Sequence, residues 1–280
     1  MQPELAVLVL LAATMHASWN ALVKGASDSL AVQVTVFGVA GLIALAMVPF
    51  VPLPDAASLP FLALSVVIHV AYYVVLALGY SVGDLSLVYP IARGIAPVLV
   101  TAGAMALENE VPTALQLAGV VIVSLGILSL AVRRGGAARD KRAVGYAVLT
   151  GICIAGYTVF DGMGVRRTAV PLSYIVWLFV IQGAAFAAVT LAWRGRALAT
   201  AIAGDWRRGT FGGVIAAVSY AIIIWAMSVA ALAPISALRE TSVIIAALLG
   251  ATLLGESFGR ARIVAAVVVC AGAALLGLAG

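Results

Sequence analysis

SLVYPIARGIAPVLVTAGAMAL, residues 86–107, is an apolar stretch whose only charged residue is Arg93. Its length suits an α-helix that crosses a bilayer core, which requires about 20 predominantly apolar residues. Comparable runs fill the rest of the 280 residues, of which 64% are hydrophobic and 10% are charged. Ordinary soluble domains are roughly 45–50% apolar and 25% charged. The sequence therefore predicts an all-α polytopic membrane protein with ten transmembrane helices.

Proline, glycine and charged residues separate the apolar runs, as expected at the ends of membrane helices. The connections are too short to hold a separate soluble domain. The predicted helices cover residues 4–24, 30–50, 60–80, 86–107, 114–132, 144–165, 172–193, 209–230, 233–254 and 262–279.

The basic residues are distributed unevenly between the two sides of this arrangement. Most of the 16 Lys and Arg residues lie in the loops after helices 1, 5, 7 and 9, whereas the opposite side carries only Arg166 and Arg167. Because basic loops favour the cytoplasm, both termini are predicted on the outer, periplasmic side of a bacterial-type cytoplasmic (inner) membrane. Basic residues confined to short loops do not form a nucleic-acid-binding face, so no nucleic-acid partner is expected.

The two halves of the chain show a weak internal repeat. A shift of 146 residues places Arg93 on Arg239 and Glu110 on Glu256, and such residues are scarce in this sequence. Each half has five helices, an odd number, so two equivalent halves would cross the membrane in opposite directions. Inverted repeats of this kind are typical of secondary transporters. The predicted organisation is a first five-helix repeat at 1–132, a basic cytoplasmic loop at 133–143 and a second five-helix repeat at 144–280.

Five short motifs carry a resemblance to a known family. Helix 1 contains MHASWNALVK (15–24), helix 4 contains VYPIARGIAPVL (88–99) and helix 9 contains LAPISALRETSV (232–243). The acidic turns ALENEVPT (106–113) and LLGESFGR (253–260) follow helices 4 and 9. Together they resemble the drug/metabolite transporter superfamily, specifically the ten-helix EamA-type permeases, over the whole chain. The resemblance implies export or import of small polar metabolites, a class that includes amino acids, choline-like compounds and nucleotide sugars.

Two arginines within membrane helices are the first candidates for a substrate site. An arginine at the centre of such a helix costs ~2.5–3.5 kcal/mol on insertion scales. Arg93 and Arg239 are therefore expected to bind an anionic group of the substrate or to close gates, unless they extend to the interface or pair with a structural acid. Pro90 and Pro97 flank Arg93, and each removes a backbone donor, so helix 4 is predicted to be kinked or broken there as a hinge.

Two acids within the predicted helices are candidates for coupling transport to protons. Glu240 is either a proton carrier or the partner of a cation on another helix, because residues adjacent in a helix point about 100° apart and Arg239 is not automatically its partner. Asp161 lies near the end of helix 6, where exposure at the interface is the alternative to a coupling role.

Polar and aromatic side chains within helices 1, 3, 6 and 8 are predicted to line a central cavity. Packing and the aromatic belts at the membrane interfaces are the alternative roles of such residues. Asn20 also departs from the family pattern, since many relatives have Gly after the Trp of helix 1. The predicted cavity residues besides the two arginines are His16, Trp19, Asn20, His69, Tyr73, Tyr157 and Trp225.

The sequence lacks the motifs of enzymes and of ATP-driven pumps. It has no P-loop, no GxSxG turn, no HExxH and no His and acid cluster at metal-ligand spacing, so no cofactor or metal is expected. The predicted function is a secondary transporter that moves small polar metabolites, most simply amino acids or similar zwitterions, by alternating access. Uptake of phosphonates or choline-like compounds, and a passive channel, are the alternatives. The expected partners are the substrate, the lipid bilayer and protons, in a monomer or homodimer.

Overall fold

The computed structural model describes residues 2–24, 26, 28–83, 85–132, 141–195, 197–253 and 259–278. Most of the predicted basic loop, residues 133–140, lies outside the described residues. The same holds for residues 254–258, which include Glu256 of the internal repeat. The described residues contain helices and no strands.

Ten spans in the described part of the chain are long and apolar enough to cross a membrane, which confirms the predicted fold class. The ninth span consists of two helices, and a short 3-10 turn, Val48–Phe50, follows the second span. The helices are α1 Pro3–Lys24, α2 Ser29–Met47, α3 Leu59–Val82, α4 Leu85–Glu108, α5 Ala114–Val132, α6 Lys141–Val165, α7 Pro171–Arg194, α8 Ala197–Val229, α9 Leu232–Arg239, α10 Ser242–Leu253 and α11 Arg260–Leu278.

The helix break near the arginines lies in the ninth span and not in the fourth. α4 is one helix through Pro90 and Pro97, so of the kink or break predicted there, the break does not occur. The ninth span, predicted to be continuous, stops at Arg239 and restarts at Ser242. The Thr241 hydroxyl donates to the Leu238 carbonyl at 2.7 Å, which satisfies one of the acceptors left free where α9 ends.

The eighth span is longer than the sequence predicted. α8 begins at Ala197 instead of residue 209, and Asp205 inside it has non-helical angles, φ −125° and ψ 20°. Two helical segments therefore meet at a kink. The charged residues Asp205, Arg207 and Arg208 interrupt the apolar run, which is why the hydropathy pattern placed the start of the span after them.

The spans pack in pairs that join the two halves of the chain. α1 packs against α8, α3 against α6, α2 against α7 and α5 against α11. α4 packs against both α6 and α9. Gly272 allows the close α5–α11 contact, because a Cβ there would lie 2.8 Å from a Val123 methyl group. Small residues at such crossings permit close packing of membrane helices.

The two sides of the helix bundle are distinguished by their loops. The basic side, as the term is used below, carries the connections that follow α1, α3, α5, α7 and α10. An ion pair between Asp28 and Arg194 joins two of these ends. The opposite side carries the connections after α2, α4, α6 and α8. There the Asp55 carboxylate accepts a hydrogen bond from the Ala169 backbone at 2.6 Å.

Candidate functional site

A cavity of about 1280 Å³ lies between the helices. Its wall includes residues at the basic-side ends of several spans, among them Val23, Tyr80 and Arg262. Toward the opposite side the described lining residues stop near the middle of the helices, for example at His69 of α3 and Phe179 of α7. The cavity therefore opens to the basic side.

Most of the predicted site residues lie in the wall of this cavity. Glu240 and Asp161 are fully buried behind the wall, and Pro97 is also outside it. Trp225 is 42% exposed on the outer surface of α8, so its predicted place in the cavity is wrong. The predicted residues that do line the cavity are His16, Trp19, Asn20, His69, Tyr73, Tyr157, Pro90, Arg93 and Arg239.

A buried charge cluster joins α4 to the break in the ninth span. Arg93, 4% exposed, lies with Nε 2.7 Å from Oε2 of Glu240, which is completely buried. Arg93 Nη2 also donates to the Ser242 hydroxyl at 3.1 Å. Glu240 thus pairs with Arg93 on another helix, which is one of the two roles predicted for it from the sequence.

Arg239, 3% exposed, is held less tightly than Arg93. Its Nη2 lies 3.5 Å from Oε1 of Glu240 and 3.3 Å from the Thr158 hydroxyl, both long contacts. Its Nε has no hydrogen-bond partner among the described residues. Two arginines share one carboxylate, so the cluster carries a net positive charge, and Arg239 has the more available guanidinium.

Aromatic rings form much of the remaining wall. The His69 ring stacks on Tyr157 with centroids 3.9 Å apart and planes at 21°. Tyr72 and Tyr220 contact Tyr157 edge-on, with centroids 5.8 and 6.5 Å away. Such faces can hold a cationic or apolar group of a ligand. Tyr72 and Tyr220 were not among the predicted cavity residues, because helices that are apolar on every side do not reveal which face lines a cavity.

Spans 2 and 7 also contribute to the wall, although only spans 1, 3, 4, 6, 8 and 9 were expected to do so. Phe37 of α2 contacts Tyr73 and Phe186, with centroids 4.9 and 5.3 Å away. Gln182 of α7 donates to the Tyr73 hydroxyl at 3.4 Å. A lone glutamine in an apolar helix was a signal in the sequence that could have indicated this contribution.

Asp161 lies behind the aromatic wall. Its Oδ2 accepts a hydrogen bond of 2.5 Å from the Tyr220 hydroxyl, and its Oδ1 accepts one of 3.1 Å from Tyr174. Gly164 makes room for Tyr174, since a Cβ there would lie 2.3 Å from that ring. Asp161 is therefore not exposed at the membrane interface, which was the alternative suggested by its position near the end of helix 6.

An ion-pair network closes the helix ends on the opposite side. Arg166 lies 2.7 Å from Glu110 and donates to the carbonyl oxygens of Met227 and Ala230 at 2.7 and 2.6 Å. Glu110 in turn accepts from the backbone N–H of Leu232, at the start of α9, at 2.9 Å. This network ties the ends of α4, α6, α8 and α9 together.

Comparison with known proteins agrees with this architecture. A solved structure titled "Crystal structure of protein" superposes with a TM-score of 0.73 and 15% sequence identity, covering 97% of this chain and 94% of that chain. At this identity the likeness shows the fold alone. No curated protein matches the sequence. Residues 141–278 match the EamA-like transporter family. This part of the chain is therefore similar to membrane transporters of the drug/metabolite transporter superfamily, and the ten apolar spans of the described residues indicate a multi-pass membrane protein.

Proposed function

We propose that this transporter moves amino acids or similar zwitterions across a bacterial cytoplasmic (inner) membrane by alternating access. The observation that carries the proposal is one central cavity whose wall combines Arg239, which makes only long contacts with its neighbours, and stacked aromatic rings. No enzymatic activity is part of the proposal, since members of the family are transporters.

The wall has separate groups for the two charges of a zwitterion. An arginine binds a carboxylate through two parallel hydrogen bonds, and Arg239 lines the cavity with only long contacts to Glu240 and Thr158. An ammonium group is attracted to the faces of aromatic rings such as Tyr157 and Tyr72. The described lining residues include no Asp or Glu, so a carboxylate-bearing substrate fits better than a choline-like cation.

The charge asymmetry of the loops supports an orientation with the basic side in the cytoplasm and both termini in the periplasm. The cavity then opens to the cytoplasm, and the network around Arg166 and Glu110 closes the periplasmic side. One open and one closed side are the features of a carrier in an inward-facing state. A channel would require a continuous path through the membrane.

The proposed alternation of access uses two inverted repeats, residues 1–132 and 144–280. A two-fold axis in the membrane plane would exchange span 1 with span 6 and span 3 with span 8. The α1–α8 and α3–α6 contacts would then be equivalent, and the α2–α7 and α5–α11 contacts would be self-equivalent. All four contacts are present, which supports this relation. Rocking of such repeats about a central site is how many secondary transporters work.

Ligand binding tests the proposed substrate class. Thermal unfolding of the purified protein would be followed with a panel of amino acids, aminophosphonates and quaternary amines, since a ligand of the folded state raises the melting temperature. We expect amino acids to stabilise the protein. Arg239→Lys should weaken that binding about tenfold, because the planar two-pronged contact is lost. Arg207→Lys, at an exposed arginine, is the matched control. Stabilisation by quaternary amines alone would contradict the proposal.

A further inference from the structure

We infer that Asp161 is the proton-binding site of this transporter and that Tyr220 connects it to the substrate cavity. The inference rests on the proposed function, because a proton site has a role in the cycle only if the cavity carries a substrate. It decides between the two acids that the sequence offered as coupling groups.

Asp161 lacks the charge compensation that Glu240 has. It is fully buried and makes no ion pair among the described residues, and its side-chain partners are hydroxyl groups. A buried carboxylate without a cation is costly when ionised, and this favours proton uptake. Glu240, by contrast, lies between Arg93 and Arg239. Protonating Glu240 would leave two buried arginines without a counter-charge, so it is the poorer proton carrier.

Polar groups on α3, α7, α8 and α9 surround Asp161. Ser65 faces it from α3, Tyr174 from α7 and Tyr220 from α8. His69 of α3 lies one contact further away, with Nε2 3.5 Å from the Tyr220 hydroxyl. The charge acting on Asp161 is Arg239 of α9, beyond ion-pair distance. Tyr157, one turn earlier on α6, stacks on His69. Among the described residues, the side-chain partners of Asp161 are thus hydroxyl groups, and an imidazole lies beyond Tyr220.

Tyr220 provides the path from the cavity to the carboxylate. It lies in the cavity wall, and its hydroxyl is 2.5 Å from Asp161 Oδ2 and 3.5 Å from His69 Nε2. Tyr174, which bonds the other carboxylate oxygen, is completely buried. A proton from cavity water therefore reaches Asp161 past Tyr220, on the side that is open in this structure.

Protonation changes the hydrogen bonding of Tyr220. The ionised carboxylate accepts from both tyrosine hydroxyls. When Oδ2 takes up a proton, its new O–H donates to the Tyr220 oxygen, and the Tyr220 hydrogen turns to another acceptor, such as His69 Nε2 or a substrate carboxylate in the cavity. The carboxylate charge changes from −1 to 0, and one proton leaves the cavity water. Occupation of the proton site is thereby linked to the hydrogen bonds offered to the substrate.

Infrared spectroscopy tests this assignment without a substrate. Protein containing aspartate labelled with carbon-13 at the side-chain carboxyl would be titrated across the physiological pH range. The carbonyl band of a protonated carboxyl, shifted by the label, should appear as the pH falls. It should be absent in Asp161→Asn and retained in Glu240→Gln. In Tyr220→Phe its midpoint should move about one pH unit higher, because the ionised form loses a strong hydrogen bond.

A labelled band that does not change with pH, or one that survives in Asp161→Asn, would overturn the inference. If Asp161→Asn does not fold, an unchanged midpoint in Tyr220→Phe would overturn it equally. If Asp161 titrates but the protein binds no zwitterion, the proton site is supported and the proposed substrate class is wrong. If the protein binds amino acids but Asp161 does not titrate, the substrate class is supported and the proton site is wrong.

Discussion

Arg93 and Glu240 form the tightest ion pair of the buried cluster, and its energetic role can be tested at the scale of the residue. Arg93→Met keeps most of the side-chain volume but leaves Glu240 buried with only Arg239, 3.5 Å away, as a cation. Removing one partner of a buried pair typically costs 3–5 kcal/mol. We expect a loss of about 3 kcal/mol in the free energy of unfolding, measured with purified protein in detergent.

The double variant Arg93→Met/Glu240→Gln is the control for this prediction. Replacing both partners removes the uncompensated charge, so most of the lost stability should return. If Arg93→Met alone is as stable as the wild type, the Arg93–Glu240 pair does not stabilise this fold.

The sequence could identify the important charged residues but not their partners. Arg93, Arg239, Glu240 and Asp161 stand out because charges are rare in apolar helices. Their shortest contacts, Arg93 with Glu240 and Asp161 with Tyr220, join helices far apart in the chain, and no local pattern encodes those contacts. Trp225 was misplaced for a related reason, since α8 is apolar on all sides and its inward face is not evident from spacing.

At the scale of the element, glycines in α6 determine how closely other helices approach Asp161. Gly164→Ala would place a methyl group 2.3 Å from the Tyr174 ring. This ring is completely buried, so it cannot move away toward solvent or lipid. Overpacking of this kind costs about 1–3 kcal/mol. We expect a matching fall in the melting temperature of the purified protein.

Gly145→Ala in the same helix is the matched control, because no atom lies within 4 Å of the added methyl group. It should leave stability unchanged or slightly higher, since alanine favours the helix. Equal effects of the two substitutions would show that helix propensity, and not the contact with Tyr174, determines the outcome.

Helix positions were largely predictable, whereas helix irregularities were not. Apolar length located all ten spans, because each one must match the thickness of the membrane. The break at Glu240 carries no proline or glycine, and the two prolines of α4 sit in a continuous helix. Neighbouring helices decide where a membrane helix can be interrupted, since they supply partners for the freed backbone groups.

At the scale of the whole molecule, the orientation in the membrane is open to a direct test. Val111 is 87% exposed in the connection after α4, and Ala199 is exposed near the start of α8 on the basic side. In intact cells, Val111→Cys should react with a membrane-impermeant thiol reagent and Ala199→Cys should not. Both variants would carry Cys270→Ala, because Cys270 is the exposed native cysteine. The opposite labelling pattern would reverse the proposed orientation.

Substrate counterflow in proteoliposomes tests the central claim most directly. Vesicles containing the purified protein would be loaded with unlabelled amino acid and placed in a trace of the labelled compound. A carrier with one site alternately exposed should accumulate the label transiently, and Arg239→Lys should greatly reduce the accumulation while Arg207→Lys does not. An ohmic conductance through the wild-type protein, with no counterflow for any amino acid, would contradict the account.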